Sequence, residues 1–222
     1  MNPSSDAPGS PPDFDETFRR KLTDLLAWRR DVRHFQAGKP VPADLIASLL
    51  EMAALAPSVG NSQPWRFVLV EDAGRRAKIV ANFEAANAEA LGDYRGEQAK
   101  LYASLKLAGL KDAPVHLAVF CDEGTAQGHG LGRRTMPEML DYSAVMAVYG
   151  FWLAARAHGV GCGWVSILDP ERAVRDLDIT EANWRLVAYL CVGWPAEETD
   201  TPELEKRGWE HRRGVSEHII KR

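Results

Sequence analysis

Apolar residues recur at helical spacing once the chain leaves its first stretch. Phe18, Leu22, Leu25 and Leu26 share one face while Arg19, Arg20 and Lys21 lie largely off it, which predicts a first helix. A second runs from Pro42 to Ala56: proline suits the first turn, Leu45, Ile46, Leu49, Leu50 and Ala53 form the stripe, and Pro57 stops it. The period then changes. Trp65–Val70 (WRFVLV) is short, continuous and β-rich, which predicts a strand buried on both faces. Helical patterns resume over about Ala73–Leu91 and Gly96–Leu110, ahead of Pro114, and His116–Cys121 (HLAVFC) reads as a second strand. Glu138–His158 is the longest helix and is apolar almost all round, with Gly159 as its C-terminal cap. Cys162–Leu168 and Leu186–Val192 read as two further strands, with a short helix starting near Pro170.

Helices first, then strands interleaved with helices, predict an α+β fold around a sheet of about four or five strands. Residues 1–13, with Pro3, Pro8, Pro11 and Pro12 among Ser and Gly, read as a disordered leader, and 14–222 as one domain. The Gly-rich stretch near 122–137 reads as a mobile flap, and the polar chain from Pro195 onward as an extended arm with Trp209 as an anchor. A long buried helix with such an arm suggests a homodimer with exchanged arms; the alternative is a monomer whose tail frays.

Composition narrows the function classes. Of 222 residues, 27 are Lys or Arg and 31 are Asp or Glu, a formal charge of −4, so the chain has no sequence-wide basic footprint for nucleic acid. No apolar run approaches the ~18 residues of a membrane span. The first residues lack the basic-then-apolar order of a secretory signal, so a soluble, cytoplasmic protein is expected. Cys121, Cys162 and Cys191 are isolated within apolar runs and read as buried thiols, and the six histidines show no metal-ligand spacing, so no metal is expected.

Three segments carry candidate chemistry. Arg29-Arg30-Asp31-Val32-Arg33 sets three guanidiniums within five residues just past a helix, able to grip a phosphate or an anionic ring carbonyl; a solvated basic turn is the alternative. Asp31 among them can orient the arginines or act as a base. Ala56–Trp65 (APSVGNSQPW) crowds Ser58, Asn61 and Gln63 into a proline-bounded turn, which suits either the edge of a polar heterocycle or a turn that satisfies its own backbone. Gly159–Ser166 (GVGCGWVS) is glycine-rich but ends a helix and begins a strand, the reverse of a dinucleotide-binding turn. Gly163 there leaves room for a flat ring beside Trp164, Val165 and Ser166. Arg207, before Trp209, reads as a distal phosphate ligand or a surface charge.

RRDVRHF, APSVGNSQPWRF and GVGCGWVS, in that order, resemble the nitroreductase-like flavoproteins over nearly the whole chain from about Phe18 to Arg213. Typical members carry a small residue where Asp31 stands. The resemblance implies a mostly antiparallel sheet of about five strands flanked by helices, in an intertwined homodimer that holds FMN at two interface sites. It further implies that Arg29, Arg30 and Arg33 hold the phosphate and the anionic side of the reduced ring, assisted by Arg207. Ser58 and Asn61 would lie near ring and ribityl chain, and Trp164, Val165 and Ser166 would line the ring's reacting edge, with Asp31 and Ser166 as the catalytic groups. The RRDVR variant, GWVS and the long flap are similar to the branch that spends reduced FMN and O2 to make 5,6-dimethylbenzimidazole, the lower ligand of vitamin B12. That chemistry implies a separate flavin reductase as partner. An FMN-dependent NAD(P)H nitro- or quinone reductase is the alternative.

Overall fold

The computed structural model describes residues 12–104 and 109–222; the expected leader lies outside them up to residue 11. The chain opens with helix α1 (Glu16–Trp28), capped by Asp15, whose carboxylate accepts from the Phe18 N–H at 2.7 Å. Helix α2 (Ala43–Ala53) follows, then strand β1 (Trp65–Leu69) and helices α3 (Ala73–Leu91), α4 (Gly96–Ser104) and α5 (Gly109–Asp112). Strand β2 (Val115–Asp122) leads through the Gly-rich segment 123–138 to α6 (Met139–Ala157) and β3 (Gly161–Val165). Helix α7 (Pro170–Asp176), β4 (Trp184–Gly193) and the one-turn α8 (Glu203–Lys206) complete the order.

The four strands form one sheet, β1-β2-β4-β3, and every pair is antiparallel. Alternation along β2 explains the layers. Leu117, Val119 and Cys121 face α2 and α6, packing with Leu49, Val148 and Phe151, whereas Ala118 and Phe120 face α3 and α7 with Ile79, Ala173 and Tyr189. Helices therefore cover both faces. The centre is α6, whose Ala144, Ala147, Val148, Phe151 and Ala155 are fully buried. Gly159 ends it at φ +74°, the left-handed conformation that a C-terminal cap favours.

Two expectations are corrected. Strand β1 is not buried on both faces: it lies at the sheet edge, and Leu69 is 42% exposed. The strand expected over Cys162–Leu168 stops at Val165, because Asp169 takes up the cap of α7 by accepting from the Arg172 N–H at 3.0 Å. Cys121, Cys162 and Cys191 are all buried and unpaired in the sheet. Among the described residues no helix is long and apolar enough to cross a membrane.

Candidate functional site

Leaving α1, the chain turns extended at Arg29 (φ −64°, ψ 124°) and runs beside the outer edge of β3. The Val32 N–H donates to the Cys162 carbonyl at 3.0 Å, and Asp31 and Cys162 form a parallel bridge. Two residues further along β3, the Asp31 carboxylate takes over from the backbone: Oδ1 accepts from the Trp164 N–H at 2.9 Å, and Oδ2 accepts from Arg33 Nε at 3.3 Å. The closeness depends on Gly163, where a Cβ would collide with the Val32 carbonyl oxygen. What Gly163 admits within this chain is thus backbone, where the sequence suggested a ring.

The arginines are anchored from α6. The Trp152 indole Nε1–H donates to the Arg30 carbonyl at 3.0 Å, and the Arg29 guanidinium sits 4.8 Å above the Trp152 ring. Arg30 Nη1 donates to the Arg29 carbonyl at 2.8 Å. The Nε atoms of Arg29 and Arg30 are buried without a hydrogen-bond partner. Burial pushes Arg30 below its ordinary pKa, and Arg212, Arg29 and Arg156 push the same way against the opposing pull of Asp200. Arg156 by contrast is neutralised, at 2.6 Å from Glu198.

Arg30, Asp31, Arg33, Trp152 and Arg156, though not Arg29, line a cleft of about 350 Å³, together with Lys206, Glu197, Glu198 and Glu203. That volume suits a small-molecule site. Crowded cations with unsatisfied buried N–H groups are what a phosphate's oxygens satisfy, so the residues fit the anionic end of a nucleotide-like ligand.

The other candidates fall elsewhere. Trp164 is half-buried with its ring 6.3 Å from that of Trp152, but the Val165 side chain is buried in the core on the α3 face, leaving only its backbone to meet a ligand. Ser166 is exposed just past the end of β3. Ser58 and Asn61 do not line the cleft. Their turn satisfies itself: Ser58 Oγ accepts from the Gln63 N–H at 3.1 Å, and Asn61 Oδ1 accepts from Gln63 Nε2 at 3.1 Å. Asn61 and Gln63 hold φ of 54° and 43°, and residues of the flap brace the turn, with Gln127 Nε2 donating to the Asn61 carbonyl at 2.9 Å. Arg207 pairs at 2.9 Å with Glu203, which itself lines the cleft, and Arg212 is the tail cation whose charge acts on Arg30. Trp209 does anchor the tail, edge-on to Tyr94 at 5.6 Å.

Sequence reasoning missed Trp152, Arg156 and Arg212. Trp152 and Arg156, one turn apart near the end of an otherwise apolar helix, were the readable sign of a functional face.

The chain is 56% identical over 202 residues to a 5,6-dimethylbenzimidazole synthase of Rhodospirillum rubrum, covering 91% of this chain and 95% of that one. It is 48% identical over 197 residues to a 5,6-dimethylbenzimidazole synthase of Rhodobacter capsulatus, covering 89% and 94%. Among solved structures, oxidised iodotyrosine deiodinase bound to FMN and 3-iodo-L-tyrosine superposes with a TM-score of 0.70 at 27% identity, covering 90% of this chain and 97% of that one. The sequence model of the Nitroreductase family matches residues 26–194, a span that takes in the arginine segment, the Ser58–Asn61 turn and the β3 edge alike. The chain belongs to the nitroreductase family.

Proposed function

We propose that the protein is a 5,6-dimethylbenzimidazole synthase, converting reduced FMN with O2 into the lower ligand of cobalamin. The observation that carries this reading is the 56% identity over nearly the full length of a synthase of that name. Asp31 supports it, since the carboxylate that replaces the family's usual small residue is built into the edge of β3 and also reaches the cleft wall.

FMN, when bound, supplies both the reducing electrons and the carbon skeleton of the product. The protein supplies placement, charge and exclusion of water. Arg29 and Arg30 hold the phosphate, with Arg33 turned to the anionic side of the ring and Arg207 as a more distant aid. Trp164, the Val165 backbone and Ser166 line the ring's reacting edge, where the Ser166 hydroxyl donates a hydrogen bond. Asp31 accepts a proton, or orients the ribityl hydroxyls, as the sugar chain breaks.

Ser58 and Asn61 belong to the site through a second copy of the chain. Two exposed apolar faces support such a homodimer. Helix α1 buries none of its residues although Phe18, Leu22 and Leu26 share a face, and α6 exposes Tyr142, Val145 and Tyr149 at 49%, 38% and 43%. A separate flavin reductase delivers reduced FMN in the cytoplasm, where buried free thiols persist. The test is incubation with FMN, a flavin reductase, NADH and air, followed by mass detection of 5,6-dimethylbenzimidazole. Product supports the synthase; rapid nitrofuran reduction without product replaces it with an NAD(P)H nitro- or quinone reductase.

A further inference from the structure

We infer that Trp152 is a positioning residue that presents Arg29 and Arg30 to the phosphate of the flavin; this rests on the reading of those arginines as phosphate ligands. One side chain on α6 meets three parts of the site. Its indole N–H holds the Arg30 carbonyl at 3.0 Å, its ring face lies 4.8 Å beneath the Arg29 guanidinium, and its ring stands 6.3 Å from that of Trp164 on β3.

Consecutive guanidiniums repel each other, and Arg212 adds to the repulsion felt by Arg30, only partly offset by the pull of Asp200. Something must hold them in place. A carboxylate would do so but would also cancel the charge a phosphate needs, which is the situation of Arg156 beside Glu198. An aromatic face attracts a cation without neutralising it. The indole therefore holds Arg29 without a countercharge; its buried Nε has no hydrogen-bond partner among the described residues, and its neighbour Arg30 is the one of the pair that lines the cleft. The N–H bond to the Arg30 carbonyl fixes the backbone where the chain passes from the end of α1 to the β3 edge, setting the direction of both side chains.

FMN and riboflavin differ only in the phosphate, so their relative affinity reads the arginines separately from the ring pocket. Oxidised FMN and riboflavin are titrated against the full-length protein by flavin fluorescence. We expect wild type to prefer FMN, Trp152→Leu to lose about tenfold or more of that preference with riboflavin affinity changed by less than about threefold, and Trp152→Phe to fall between. Equal weakening of both flavins overturns the proposal, since it marks Trp152 as packing alone. If Trp152→Leu does not fold, Trp152→Phe decides, because it keeps a ring under Arg29 but has no N–H; an unchanged preference overturns the proposal. Wild type without any preference for FMN removes the phosphate reading itself, and the role of Trp152 with it.

Discussion

Replacing Gly163 with alanine tests whether segment 29–33 must lie against β3 for the site to exist. The added methyl collides with the Val32 carbonyl, and a backbone atom cannot swing aside as the tip of a side chain can. The segment has to lift, breaking the bond from the Val32 N–H to the Cys162 carbonyl and the bond from the Trp164 N–H to the Asp31 carboxylate. A neutral hydrogen bond contributes about 1 kcal/mol and one to a charged acceptor about 1.5–3 kcal/mol, so losing both costs about 3 kcal/mol. For a chain of this length each kcal/mol moves Tm by about 2–4 °C, which gives a fall of about 6–12 °C in a thermal melt. FMN affinity, read by fluorescence quenching, should drop about tenfold or more, because Arg29, Arg30 and Asp31 shift with the segment. A Gly163→Ala protein that melts at the wild-type temperature would refute the packing argument. One that melts low yet binds FMN normally would show that the bridge serves stability and does not shape the site.

Asp31→Asn keeps an oxygen for the Trp164 N–H and drops the charge beside Arg33, so we expect FMN binding to persist while 5,6-dimethylbenzimidazole is no longer detected by mass; normal yield would remove Asp31 from the chemistry. Ser166→Gly should leave FMN affinity near wild type and slow product formation in a single turnover, and a wild-type rate would dismiss the hydroxyl's role. Burial lowers the pKa of His116 to about 4 from the ordinary 6.5, with the Arg76 charge adding to the effect. The native state thus binds fewer protons than the unfolded chain between those values. Stability from this group is complete above pH 6.5 and declines as pH falls toward 4, by up to about 3 kcal/mol. Urea unfolding at pH 7 and pH 4.5 should show a smaller loss for His116→Gln than for wild type, and equal losses would assign the acid sensitivity to other groups.

Much of the fold was legible because period alone separates its elements. The four strands and α6 announce themselves as short β-rich runs and one long apolar helix. Position within the sheet was not legible: WRFVLV looks the same at an edge as at the centre, and only the pairing of β1 with β2 alone exposes Leu69. Segment RRDVR was recognisable as anion-binding chemistry, yet the reason for Gly163 was hidden, since Val32 lies far from it in sequence and meets it only through a tertiary bridge. Trp152 and Arg156 were legible as a pair one turn apart near the end of a mostly apolar α6, but what the Trp152 N–H meets, the Arg30 carbonyl, lies far away in sequence. Arg207 and Arg212 were indistinguishable as tail cations by composition. The Glu203-to-Arg207 spacing of four was the clue that one of them belongs to a helical ion pair.

The placement of the three cysteines has a practical corollary. Burial pushes the Cys121 thiol up to about 11 and that of Cys191 up to about 12, and the Cys162 thiol moves the same way. Thiolate, the form that alkylating reagents and peroxide attack, is therefore scarce at neutral pH while the strands stay paired. Iodoacetamide labelling becomes a clock for opening of the sheet, with each modified sulfur, located by peptide mass, marking which strand came apart and when.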